Sequence, residues 1–193
     1  MTLPQTILLL VLAAPPGPPA GSRAGAPVAA PADPSEAEVR RRVRALLGAI
    51  DTPVREQDFH ALGPRGPAVL AAIASGSGEW PSWRSRAAWG LALLGGAEAE
   101  RTLERLGSSA SEPFAVRAAA LEGLGRLLAP ERLLQAVSPV LSGPGEARLR
   151  AVAAEVLSRR APEAACQSVR AQLARESPEG RLMFHRAEAA CGR

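Results

Sequence analysis

Val116-Arg117-Ala118-Ala119-Ala120-Leu121-Glu122-Gly123-Leu124-Gly125 decides the fold, because its pattern returns along the chain. Arg117 is one of a series, Arg55, Arg86, Arg117, Arg150 and Arg181, spaced 31, 31, 33 and 31 residues apart. The first four are each followed seven residues later by leucine, at Leu62, Leu93, Leu124 and Leu157. An aliphatic residue precedes three of those four arginines, as Val54, Val116 and Leu149, while Ser85 breaks the pattern before Arg86. A period within about 20–50 residues is the mark of a repeat architecture whose units bury their apolar faces only against neighbours.

Helix signals lie on both sides of each arginine. Ser35-Glu36-Ala37-Glu38 has capping-box spacing, and Val39, Val43, Leu46, Leu47 and Ile50 follow at helical intervals, which predicts a helix over 35–50. Its other face carries Arg40, Arg41, Arg42 and Arg44, read as a solvated face. Helix pairs are predicted over 53–75, 82–107, 112–141 and 146–175, punctuated by Thr52-Pro53, Gly63-Pro64 and Gly76-Ser77-Gly78. Ala97-Glu98, Pro130-Glu131 and Pro162-Glu163 open the partner helices, 33 and 32 residues apart, with acid favoured by the helix dipole. A C-terminal capping helix is predicted over 178–191. There Glu188 replaces the expected leucine, as suits a terminal unit with no further neighbour. Pro139, late in its helix, removes one backbone bond and predicts a kink.

The stretch 116–125, continued by Pro130-Glu131-Arg132-Leu133-Leu134, resembles HEAT and HEAT-like repeats, notably the short bacterial type related to phycobilisome-lyase repeats and found in exported proteins. Residues 53–175 fit that family as four helix pairs. The resemblance implies an all-α fold, a right-handed α-solenoid of antiparallel pairs like the armadillo-type superhelix, with a period of about 31–33 residues. It also implies protein binding through a concave face and supplies no catalytic residue.

Composition agrees with packed helices. Aromatic residues make up 3 % of the chain, and Tyr, Lys and Asn are absent. An Ala/Leu core suits close helix packing better than a sheet. The net charge of +4 comes from arginine alone, with acids interspersed, so it gives little long-range steering.

The N-terminus reads as a cleavable signal over 1–24. Ile7 to Ala14 is an apolar run of eight residues, far below the ~20 that span a bilayer as a helix. Ser22-Arg23-Ala24 supplies a small-x-small cleavage site. Residues 25–34 complete a Pro/Ala-rich linker, so the folded domain is expected over 35–193 and the location periplasmic or secreted.

Export gives the two cysteines, Cys166 and Cys191, an oxidising compartment, and an even count leaves no free thiol. Counted from the turn at Ser177-Pro178, they fall at nearly the same level of an antiparallel helix hairpin, which predicts a disulfide.

No H-E-x-x-H, G-x-S-x-G, P-loop or paired-cysteine metal spacing occurs. His60 and His185 stand in distant repeats and read as surface residues. The expectation is a non-enzymatic protein-binding scaffold, monomeric, without cofactor, metal, stable membrane insertion or nucleic-acid partner. Two other readings are a nucleic-acid binder with an arginine-lined concave face and a lyase-like modifying enzyme. If the second helices line the concave side, Arg101, Arg105, Gln135 and Arg170 are the contacts for a protein or peptide. Trp80 and Trp83 are the exposed aromatic candidates, with Trp89 expected on the packed face. The periodic arginines are expected to form an ion-pair or carbonyl-binding ladder between repeats.

Overall fold

The computed structural model describes residues 34–49 and 53–192, and every regular element among them is helical. The chain divides into two units, Met1–Asp33 and Pro34–Arg193. The first lies outside the described residues, and with it the expected signal peptide and all of the linker except Pro34.

Helix α1 is Glu36–Gly48, α2 Glu56–His60, α3 Gly66–Ser75, α4 Pro81–Leu94 and α5 Ala97–Ser108. Then come α6 Phe114–Leu127, α7 Pro130–Ser142, α8 Ala147–Arg160, α9 Pro162–Leu173, α10 Pro178–Leu182 and α11 His185–Cys191.

Ser35 caps α1 by accepting the Glu38 N–H at 3.2 Å. The reciprocal half of the capping box is missing, because the Glu38 carboxylate instead accepts from Arg42 at 2.8 Å and Arg41 at 3.0 Å. The Arg42 hydrogen bond, foremost, holds that carboxyl below its usual range.

Two local expectations need correction. The helix expected from Pro53 begins only at Glu56, since Arg55 is extended and its N–H donates to Asp58 Oδ2 at 2.7 Å. The expected single helix over 178–191 breaks at Met183-Phe184, where fully buried Phe184 plugs the core between α10 and α11. Pro139 leaves the Gln135 carbonyl without its helical donor, yet α7 continues to Ser142.

Packing sorts every helix but the short α10 into two rows. In one, α2, α4, α6, α8 and α11 touch in succession; in the other, α1, α3, α5, α7 and α9 do. The rows meet along the contacts α3 to α4, α5 to α6, α7 to α8 and α9 to α11. A tight glycine turn makes one of the reversals: Gly95 and Gly96, at φ of 71° and 91°, join α4 to α5 in left-handed conformations that glycine adopts without steric cost. Glycine also sets helix spacing. A Cβ at Gly123 would lie 2.9 Å from the Ala92 Cβ, so α4 and α6 approach as closely as they do only because position 123 has no side chain.

The arginine ladder exists, in a different register from the one the sequence suggests. Arg84, Arg117, Arg150 and Arg181 each occupy the fourth position of a helix, α4, α6, α8 and α10. Arg84 Nε donates to the Ala74 carbonyl at 3.0 Å, at the end of α3. Arg117 Nε donates to Gly107 at 3.2 Å, at the end of α5, and Arg181 reaches the Glu176 and Ala174 carbonyls past the end of α9 at 3.1 and 3.3 Å. Helix C-termini present unsatisfied carbonyls and negative dipole ends, so a cation is favoured at each of these sites.

Arg86 is exposed and donates instead to Leu47 and Ala49, at the end of α1, at 2.6 and 3.1 Å. Arg55 stands outside the ladder, beside Asp58. With Arg84 as the repeat position, Trp83 takes the place of Val116 and Leu149, and the leucine seven residues on is buried Leu91. Leu93 is only partly buried, whereas Leu62, Leu124 and Leu157 are fully inside. The same two-residue shift turns Trp89 outward and puts Ala87 at the inward position of Ala120 and Ala153.

Acids from the loop that leads into the next ladder helix complete two rungs. Glu112 pairs with Arg84, not with Arg117 five residues after it, and Glu176 pairs with Arg150. Both oxygens of Glu176 accept from Arg150, at 2.5 and 2.6 Å, and Gln172 adds a third bond at 2.8 Å. Glu146, four residues before Arg150, pairs with Arg148.

The Arg150 hydrogen bonds hold the buried Glu176 carboxyl below its usual range, against the opposing effect of burial, and raise Arg150 in turn. A lowered folded pKa means a stabilisation fully present above the unfolded value of about 4.3 and lost as pH falls through the folded value. Glu176→Gln is therefore expected to cost about 3 kcal/mol at pH 7, by leaving Arg150 half-buried and under-paired. Urea midpoints measured from pH 7 down to pH 3 check this: the wild type should lose more stability below about pH 4 than the variant does.

Cys166 of α9 and Cys191 of α11 form the disulfide, with Cα atoms 5.4 Å apart and a sequence separation of 25. Closing a loop of that length stabilises by about 3 kcal/mol through the denatured state. Denaturation with and without reductant should show that difference, and thiol titration of the unreduced, unfolded chain should find no free thiol.

Candidate functional site

A cleft of about 480 Å³ opens between α5 and α7. Arg101, Glu104, Arg105 and Ser108 line it from α5, and Arg132, Gln135 and Ala136 from α7. The α5 residues recur at intervals of three and four, so they share one helix face, while Ala99, Leu103 and Leu106 face the core. On α7, Leu133, Val137, Val140 and Leu141 are buried and leave Arg132 and Gln135 on the open side.

The cleft is electropositive at short range. Glu104 Oε1 accepts from Arg132 at 3.1 Å, which satisfies one arginine. Arg105 reaches the Ser75 hydroxyl at the end of α3, at 2.5 Å, and has no ion-pair partner among the described residues. Arg101 is exposed and has no hydrogen-bond or ion-pair partner among the described residues. Three guanidinium groups thus face one carboxylate. Guanidinium groups bind planar oxyanions in bidentate fashion, and Gln135 and Ser108 add neutral donors and acceptors at the rim.

Of the residues expected to contact a partner, Arg101, Arg105 and Gln135 come together here. Arg170 does not: it lies on α9 and donates to the Cys191 carbonyl at 2.7 Å, fastening α11 beside the disulfide. Arg132 and Glu104 were missed by the sequence reading. The polar stripe 101, 104, 105, 108, opposite the buried Ala99, Leu103 and Leu106, was the available signal.

The tryptophans do not converge. Trp80, 74 % exposed, sits before α4 as its N-cap residue. Trp83 is partly buried and packs on the core, with Arg44 over its ring at 5.9 Å. Trp89, expected inward, is 44 % exposed with Arg126 over its ring at 6.0 Å, and Arg126 also pairs with Glu56 at 2.8 Å. The basic face of α1 is neutralised locally. Arg40 pairs with Glu36, Arg41 and Arg42 with Glu38, and Arg44 with Glu79. His60 and His185 are both exposed, and His60 stands 3.6 Å from Glu56.

Among the described residues, no group of three or more His, Cys, Asp or Glu is placed to hold a metal ion. No described helix is long and apolar enough to cross a membrane. The chain matches no family model, no curated protein and no solved structure.

Proposed function

We propose that this chain is a non-enzymatic interaction scaffold that acts outside the cytoplasm, built as a HEAT-like right-handed solenoid and holding a protein or peptide in the cleft between α5 and α7. The observation that carries this reading is the convergence of Arg101, Arg105, Arg132 and Gln135 in one open cleft on helices packed by a repeated ladder. The two rows of helices support the solenoid, because each helix touches the one before and after it in its own row. The disulfide supports an oxidising compartment, as does the short apolar run Ile7 to Ala14.

A nucleic-acid reading has one observation in its favour, the same arginines. Against it stand Glu98 and Glu100 at the start of α5 and Glu131 at the start of α7, which interrupt any continuous basic track.

Two measurements on the full chain test the proposal together. Intact mass of the protein recovered from its own cell should show loss of residues 1–24, leaving Gly25 first. A photo-crosslinking residue at Gln135 should then yield discrete protein adducts that Arg101→Glu abolishes. A chain that keeps Met1 in the cytoplasm and crosslinks to nucleic acid would overturn the reading.

A further inference from the structure

We infer that the α5–α7 cleft recognises a short acidic segment of a protein, and that Glu104 is a built-in competitor for it. The inference deepens the scaffold reading by naming the chemistry of the partner, and it rests on that reading for the site alone.

Charge defines the class of ligand. Arg101, Arg105 and Arg132 leave two positive charges in excess once Glu104 is set against them. Carboxylates complement that excess, and each can take two parallel N–H bonds from a guanidinium. Length is set by the flanks. Glu98 and Glu100 lie three residues and one residue before Arg101 on α5, within a single turn of the cleft, and Glu131 adjoins Arg132 at the start of α7. Positive potential is therefore confined to roughly the span of one helix pair, enough for a few side chains and too short to follow a polyanion backbone. The lining also contains no aromatic side chain on which a base would stack.

Glu104 gives the cleft a state of its own. In the free protein its carboxylate holds Arg132 at 3.1 Å, and its side chain is only about one-third exposed, 35 %, against 60 % for Arg132. An incoming carboxylate meets Arg101 first, because Arg101 is the exposed arginine of the cleft that has no partner among the described residues. It then competes with Glu104 for Arg132. The prediction has two signs: removing Arg101 weakens binding, and neutralising Glu104 strengthens it.

The test is a titration of the full chain with fluorescein-labelled octaglutamate, followed by anisotropy at 50 mM and 300 mM salt. Octaglutamine serves as the uncharged control and an eight-nucleotide oligothymidylate as the anionic control. Octaglutamate should bind at least about 10-fold more tightly than either control at 50 mM salt and weaken at 300 mM. Arg101→Glu should weaken it about 10-fold, and Glu104→Gln should tighten it about 3-fold. Circular dichroism of the Glu104→Gln variant, matching the wild type, keeps the expected gain in affinity independent of stability.

Equal binding of octaglutamate and oligothymidylate would reduce the cleft to unspecific electrostatics and overturn the inference. Tighter binding of oligothymidylate would overturn it in favour of nucleic acid. An unchanged or weaker affinity in Glu104→Gln would overturn the competitor role. These outcomes concern the chemistry of the cleft alone, so they separate from the mass and crosslinking results, which concern location and partnership.

Discussion

The stack depends on an arginine near the start of one helix reaching the carbonyl end of the helix before it. Arg84, Arg117 and Arg181 make this contact at the ends of α3, α5 and α9. Each such end would otherwise leave backbone acceptors half-buried at the seam between two rows of helices, at the full desolvation cost of an unmade bond. One guanidinium, with five donors in a rigid fork, satisfies a carbonyl and still reaches a carboxylate from the next loop. Arg84 does so with Ala74 and Glu112, and Arg150 with Gly145 and Glu176. Lysine, with a single point charge, offers no such fork. The ladder therefore fixes the register in which Leu91, Leu124 and Leu157 enter the core, and the apolar burial that follows supplies the larger share of stability.

Small residues at fixed places make the ladder reachable. Gly90 and Gly123 stand six residues after Arg84 and Arg117, and each faces an atom of the preceding helix in its row that a Cβ would overlap: the Phe59 ring of α2 and the Ala92 methyl of α4. Val156 fills the corresponding place in α8 and packs instead against Gly125 of α6. The close approach is thus kept while its glycine moves from one side of the contact to the other. Such exchange conserves volume, which interiors at crystalline density require.

The all-helical class and most helix positions were legible from periodicity, cap residues and proline placement, and the cysteine pairing from levels along a hairpin. What the sequence concealed was one register. Arg84 and Arg86 both have leucine seven residues on, and Arg86 alone continues the 31-residue interval from Arg55. That interval was accidental, because Arg55 precedes α2 and plays no part in the ladder. The deciding information was at other offsets: Ala87-Ala88 matches Ala120-Leu121 and Ala153-Ala154, and only Arg84 brings them into line. One slip of two residues accounts for the apparent irregularity at Ser85, the misplaced Trp89 and the half-buried Leu93. The break at Phe184 was hidden for another reason, since a buried plug inside an otherwise helical stretch has no local sequence mark. In the cleft, Arg101, Arg105 and Gln135 followed from helix phase, but Arg132 and Glu104 needed the third dimension to be seen as opposing groups.

Charge is distributed by the same economy of partners. Arginines in the seam are committed to carbonyls and buried acids, and those on α1 to Glu36, Glu38 and Glu79. On the α2–α4–α6–α8–α11 side, Glu56 holds Arg126, Glu122 holds Arg159, and Glu155 holds Arg186. Each of these pairs lowers the free charge its surface can present. A chain with a modest net charge of +4 can therefore carry a locally positive site only where the acids run out. In the lining of the α5–α7 cleft they do, since Glu104 alone stands against three arginines there, while Glu98, Glu100 and Glu131 bound the positive patch at its edges. Isolated exposed pairs contribute little to stability, about 0–1 kcal/mol, so keeping Arg101 unpartnered costs the fold almost nothing. Its unspent charge is available to a ligand without any rearrangement of the helices, which is the condition for binding on a pre-formed surface.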